Sequence, residues 1–176
     1  FTLMAIAGRA VSFELDTFEI MTYRSAVGVV VVAILATVFG KWGEVKRDKL
    51  PMHMGRNIFH FAGQNLWFYA ITVIPLAQVF ALEFTSPLWV MLLAALFLGE
   101  RLTRLKLFVA AVGFIGILLV VRPWVAPPSA GMIIAAAAAL CFASTAIFTK
   151  RLTQSQTITC IMFYLTIMQL FFGLVC

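Results

Sequence analysis

Long apolar runs, separated by short polar breaks, organise the whole chain. A bilayer core of about 30 Å takes roughly 20 helical residues at 1.5 Å each. Runs of that scale fall at 18–39, 57–74, 77–98, 105–121, 130–149 and 158–176, and 1–11 is about half a span. The breaks between them are rich in turn formers. Lys41 to Arg56 is polar and contains Gly43, Pro51 and Gly55. Pro75 marks a tight turn, Gly99-Glu100-Arg101 follows an apolar run, and Arg122-Pro123 leads to Pro127-Pro128. In hydrocarbon every backbone N–H and C=O must be satisfied within its own segment, so the runs are predicted to be helices. Barrel strands alternate apolar and polar residues in much shorter segments, which these are not. The fold class predicted is an all-α membrane protein, a polytopic helical bundle of about six and a half spans. With Phe1 rather than Met at the start and an apolar run still open at Cys176, the chain is expected to be part of a longer polytopic protein.

Composition strengthens this picture and charge orients it. Of 176 residues, 63% are hydrophobic and 11% charged, against roughly 25% charged in an ordinary soluble domain. The mean hydropathy of +1.04 excludes a disordered chain, which needs low hydrophobicity. The formal charge of +6 forms no continuous basic stripe or recognition motif, so nucleic acid is not the expected partner. The charge follows topology instead. Connectors 41–56, 99–106 and 150–157 hold Lys41, Lys46, Arg47, Lys49, Arg56, Arg101, Arg104, Lys106, Lys150 and Arg151, whereas the alternate connectors hold Arg9 and Arg122. Ten basic residues against two make the first set cytoplasmic by the positive-inside rule, in a bacterial inner or plasma membrane. Trp42 and Trp124 flank spans where interfacial aromatics belong. Cys141, Cys160 and Cys176 all lie in apolar runs without metal-type spacing and are read as packing residues.

Sliding the chain along itself by 141 positions brings Ala5-Ile6 onto Ala146-Ile147, Ile20-Met21 onto Ile161-Met162, Tyr23 onto Tyr164, Arg9 onto Lys150 and Ser12 onto Thr153. Five spans separate the two copies, and an odd number forces opposite orientations in the membrane. Inverted repeats of this kind characterise secondary transporters, with the substrate site near the midplane between repeats.

Several motifs together carry a family resemblance. They are Phe68-Tyr69-Ala70-Ile71, Ile74-Pro75-Leu76-Ala77, Phe84-Thr85-Ser86-Pro87-Leu88, Leu98-Gly99-Glu100-Arg101-Leu102 and Gly113-Phe114-Ile115-Gly116-Ile117-Leu118-Leu119, ending at Arg122-Pro123. This combination resembles the EamA-type repeat of the drug/metabolite transporter superfamily. The resemblance implies ten helices in two inverted five-helix repeats that move small organic solutes. It divides the chain into a first repeat at 1–122 and the start of a second at 130–176. The stretch from Leu66 to Pro87 is most similar to the branch containing riboflavin and S-adenosylmethionine permeases. Members of that branch often carry an acid where this chain has Gln78, and a small residue where it has Glu83.

Polar groups inside spans are costly and are candidate functional residues. Arg24 and Glu83 each lie six residues in from the outer end of a span, at about 9 Å depth. Opposite charges at matched depth suit a structural Arg24–Glu83 pair; contact with a substrate and proton coupling through Glu83 are the alternatives. Glu83, Ser86 and Pro87 share one helical face. Pro87 lacks a backbone donor, which predicts a kink that either serves packing or lines a cavity. On the third span His60, Gln64 and Trp67 form a stripe beside Phe61, Asn65 and Tyr69. Gln64 and Asn65 sit near the bilayer middle as interhelical glue or as part of a pocket, with Trp67 and Tyr69 as stacking surfaces. The candidate substrate-binding set is therefore Arg24, Gln64, Asn65, Trp67, Tyr69, Glu83, Ser86 and Pro87. Gly113-x-x-Gly116 and the Ala135–Ala139 run are expected to be surfaces for close helix approach.

No phosphate loop, nucleophile elbow or HExxH motif is present, so catalytic residues, metal and cofactor are not expected. The leading expectation is a secondary transporter working by alternating access on a small organic solute, planar or amphipathic in character. A non-transporting helical scaffold or partner subunit is the runner-up, and an intramembrane enzyme the third class. Besides solute and lipid, a homodimer is the one assembly left open.

Overall fold

The computed structural model describes residues 2–11, 17–125 and 127–175; Cys176, and Ser12 of the repeat alignment, lie outside the described residues. The described residues fold into helices joined by short connectors, with no strand among them. These helices are α1 (Thr2–Val11), α2 (Thr17–Val38), α3 (Leu50–Val73), α4 (Leu76–Glu83), α5 (Ser86–Leu98), α6 (Arg104–Val121), α7 (Ala130–Leu152) and α8 (Ile158–Val175). A 3-10 turn, Trp42–Glu44, sits in the basic connector.

By length and composition, five segments are apolar and long enough to cross a membrane: α2, α4 and α5 taken together, α6, α7 and α8. Helix α3 is not among them, although at 24 residues it is long enough. The reason is its sequence of polar residues, which the fold directs at other helices rather than at lipid. Helix α3 also starts earlier than the apolar pattern predicts, at Leu50 rather than residue 57. Pro51 occupies the first turn, where a missing N–H costs no hydrogen bond, so polar residues up to Arg56 are helical.

Helix α3 is the hub. It packs most extensively on α7 and also touches α1, α2, α4 and α8, while α2 packs chiefly on α8. Small residues make the α3–α7 approach close. Ala135, Ala138 and Ala139 are buried, and a Cβ on Gly63 would stand 3.0 Å from the Cys141 Cβ and 3.1 Å from the Phe142 ring. Lipid tails are as apolar as leucine, so packing and interhelical hydrogen bonds hold such helices together. Helix α1 is held by Arg9, whose guanidinium donates to the carbonyls of Ile71 and Ile74 at 2.6 Å each. Those carbonyls end α3, where a cation is favourable.

Helix α6 is the outlier. Leu105, Phe108, Val109, Ile115 and Leu119 are exposed, as lipid-facing side chains are. A Cβ added at Gly113 or Gly116 would meet open space rather than a neighbouring helix. The expected close approach at these glycines is therefore not made among the described residues; both instead line an apolar groove shared with α5. The alanine run on α7 does make its close approach.

Polar bonds concentrate at the basic end. At Gly99 (φ 67°) the chain turns out of α5 in a left-handed conformation that glycine adopts without steric cost. The next residue, Glu100, bonds Lys150 of α7 and lies 3.5 Å from Lys106 of α6. The hydrogen bond from Lys150, aided by the charges of both lysines, holds the Glu100 carboxyl below the usual carboxylate range. Arg151 donates to the Phe97 carbonyl at 2.6 Å. Deeper in, Arg56 donates to Thr149 Oγ1 at 2.8 Å and to Asn57 Oδ1 at 3.1 Å. Asn57, fully buried, donates to the Tyr164 carbonyl, and its own carbonyl accepts from Gln169. This network ties α3, α7 and α8 into one body.

Candidate functional site

A cavity of about 730 Å³ lies at the middle depth of the bundle, between α2, α3, α4, α5 and α7, with the start of α1 at its rim. Six of the eight candidate residues line it: Arg24, Gln64, Trp67, Glu83, Ser86 and Pro87. They reach it from four helices. Gln64 and Trp67 come from α3, where three-residue spacing puts them on one face.

The break between α4 and α5 shapes the opposite wall. Pro87 cannot donate to the Glu83 carbonyl, and its ring forces the backbone apart there. The result is a two-residue turn at Phe84 and Thr85, whose backbone stays right-handed helical, inside one membrane-length segment from Leu76 to Leu98. Thr85 Oγ1 donates to the Leu82 carbonyl at 2.6 Å, satisfying one acceptor near the break. Ser86 Oγ donates to the Ala139 carbonyl of α7 at 3.1 Å, pinning the start of α5. Glu83, the last residue of α4, is thereby held at the cavity wall.

Arg24 and Glu83 are not an ion pair. Glu83 stands in none of the ion pairs seen at Lys41–Glu44, Lys106–Glu100 and Lys150–Glu100. Glu83 Oε2 accepts from the Trp67 indole at 2.9 Å. Arg24 is engaged by Gln64: with the amide oriented to suit its surroundings, Oε1 accepts from both terminal guanidinium nitrogens, at 2.6 and 2.7 Å. Matched depth set the height of the two charges but not the side of the helix each would face. Two side chains of α3 take one charge each.

Asn65 and Tyr69 do not line the cavity. Asn65 Nδ2 donates to the Phe61 carbonyl of its own helix at 2.9 Å, and Tyr69 is 51% exposed. Each helical residue turns about 100°, so Tyr69, two positions after Trp67, faces away from it. Tyr69 therefore stands outside this cavity, apart from Trp67. The cavity also takes residues outside the candidate set, including His60, Phe80, Phe84, Phe142, Thr145 and Ala146. His60 was legible as the residue one turn before Gln64. Thr145 was a weak pocket candidate from sequence because its hydroxyl can bond back to its own helix, as it does to the Cys141 carbonyl at 2.9 Å, whereas Phe142 and Ala146 carry no polar signal. Among the described residues, no group of three or more His, Cys, Asp or Glu is placed to hold a metal. Free Cys160 is buried and Cys141 is half-buried, which suits packing.

These features define a polytopic helical membrane protein with an interrupted helix and an ionisable cavity at mid-depth. The sequence pattern of the EamA-like transporter family matches residues 1–122, and the chain belongs to that family. A riboflavin transporter of Brucella anthropi is 35% identical over 124 residues, covering 70% of this chain and 44% of that protein. The pseudopaline exporter CntI of Pseudomonas aeruginosa is 34% identical over the same length, covering 70% and 43%. An S-adenosylmethionine uptake transporter of Rickettsia bellii is 25% identical over 151 residues, covering 86% and 52%. The chain thus spans about half the length of the curated relatives it matches. No solved structure matches significantly.

Proposed function

We propose that this chain carries the solute site of a secondary transporter, a permease that moves small organic molecules across the cytoplasmic membrane by alternating access. The observation that carries the reading is the mid-depth cavity holding both Arg24 and Glu83. Insertion scales put a charged side chain at a helix centre at about 2.5–3.5 kcal/mol unfavourable. Two such residues around one cavity fit a site that works on a solute better than they fit inert packing.

Residues 1–122 form the first repeat in this reading, and 130–176 begin a second of opposite orientation. The α2–α8 contact supports this division. Gly28 meets Thr166 while Gly173 meets Thr22, so the two helices run antiparallel, as repeat-related helices of opposite orientation must. The basic connectors 41–56, 99–106 and 150–157 face the cytoplasm.

Flux into proteoliposomes tests the proposal. Riboflavin and S-adenosylmethionine are the first probes, because relatives bear those names. Glu83→Gln and Gln64→Ala are expected to lower flux at least tenfold. Flux unchanged by both substitutions removes these residues from the mechanism. Absence of flux for a broad solute panel would favour the helical scaffold.

A further inference from the structure

We infer that the cavity is built for a zwitterionic solute with an apolar or aromatic body, its anionic group on Arg24 and its cationic group on Glu83. This inference rests on the transport reading above and names the solute class of the same site.

Two opposite charges that line one cavity inside a bilayer attract strongly, because the surroundings screen them little. Left alone they would collapse into an ion pair. Among the described residues each is held by a neutral partner instead, Arg24 by the Gln64 carbonyl oxygen and Glu83 by the Trp67 indole. Gln64 is buried and Trp67 is 3% exposed, so both holders are themselves fixed by packing. The two holders stand three residues apart on α3, an axial offset of about 4.5 Å. The two charges are therefore kept at neighbouring levels without touching.

Both charges retain bonding capacity. A guanidinium has five N–H donors, of which Gln64 engages two. A carboxylate has about four acceptor positions, of which the indole fills one and no other described residue fills the rest. A solute bearing a carboxylate and an ammonium would complete both sets and neutralise both charges at once. A solute with one charge would leave the opposite residue uncompensated, which disfavours its binding. Phe80, Phe84 and Phe142 supply apolar wall for the rest of the molecule, and a cavity of about 730 Å³ admits a body of drug-like size.

The test uses four probes on one scaffold: phenylalanine, 2-phenylethylamine, 3-phenylpropionate and 3-phenylpropanol. Binding to the full-length gene product in lipid nanodiscs is measured by calorimetry, and flux of the same probes is followed in proteoliposomes. Phenylalanine is expected to bind at least tenfold tighter than each of the other three. Arg24→Gln should weaken phenylalanine at least tenfold without weakening 2-phenylethylamine, whose uncompensated partner charge it removes. Glu83→Gln should weaken phenylalanine at least tenfold without weakening 3-phenylpropionate, whose uncompensated partner charge it removes. Binding of the single-charge probe at least as tight as in wild type shows that each variant is folded. Binding of a single-charge or neutral probe as tight as phenylalanine overturns the inference, as does binding of none of them or an equal loss for all four in either variant. Flux of 2-phenylethylamine without preference for the zwitterion would sink this inference and leave the transport reading standing. Charge-selective binding without flux of any bound probe would do the reverse.

Discussion

Replacing Gln64 with leucine, which keeps the side-chain volume and removes the amide, tests how the cavity holds its positive charge. Gln64 is buried at 6% exposure, and its oxygen accepts from both terminal nitrogens of Arg24 at 2.6 and 2.7 Å. A hydrogen bond to a charged group contributes about 1.5–3 kcal/mol. The two bonds share one acceptor, and Arg24 itself is exposed towards the cavity. The expected loss for Gln64→Leu is therefore about 1.5–3 kcal/mol in total rather than twice that. Arg24→Leu should cost less, because the amide it leaves behind is neutral. In the double variant neither group is stranded, and replacing both partners by apolar groups is close to neutral. The coupling energy from the four proteins should reach at least about 1 kcal/mol, within the range for directly bonded residues. Unfolding in mixed micelles by titration with sodium dodecyl sulfate measures each of these quantities. If the losses of the two single variants simply add in the double variant, Gln64 does not hold Arg24 and the geometry of the site is wrong.

Three further outcomes follow from the packing and the charge. Gly63→Val puts methyl groups against Cys141 and Phe142 and should destabilise by about 1–3 kcal/mol, whereas Gly113→Ala, with open space around it, should stabilise by up to about 1 kcal/mol; the same unfolding assay compares them, and equal effects would contradict the α3–α7 approach. Asn57→Leu removes the side-chain oxygen that accepts from Arg56 and the amide that donates to the Tyr164 carbonyl, leaves the backbone carbonyl that accepts from Gln169, and should destabilise by about 1–3 kcal/mol, read as a lower melting temperature in detergent. Because Lys150 holds the Glu100 carboxyl below its ordinary range, its contribution is present above the unfolded-state value and is lost as pH falls through the lowered folded-state value. The stability difference between wild type and Glu100→Gln, measured from pH 7 down to pH 3, should shrink towards the acid end and fall with added salt; a difference independent of pH would refute the pairing.

The spans were legible because bilayer thickness dictates the length of an apolar run, and the order of helices follows from that. Helix α3 escaped in part. Its polar residues look like a connector until the helices they face are known, and Pro51 looks like a break although it fits a first turn. Cavity residues were legible where a polar group interrupts an apolar span, as at Arg24, Gln64 and Glu83. Their partners were not. Depth along the membrane normal can be counted from the sequence, but the rotation of each helix about its axis is set by packing, and that rotation gave Arg24 to Gln64 and turned Tyr69 outward. The small-residue pattern was ambiguous for the same reason. The alanines of α7 meet α3, while Gly113 and Gly116 of α6 meet open space.

The most direct test of a solute path at mid-depth is water access to Ala146, which lines the cavity from α7. Ala146→Cys, placed in a background with Cys141, Cys160 and Cys176 replaced by alanine, is exposed in sealed proteoliposomes to a membrane-impermeant thiosulfonate. A water-filled path predicts rapid modification from at least one side of the bilayer, slowed by a transported solute. A thiol that stays unmodified from both sides, with or without solute, would mean that the cavity is a sealed gap in the packing and that no solute passes through it.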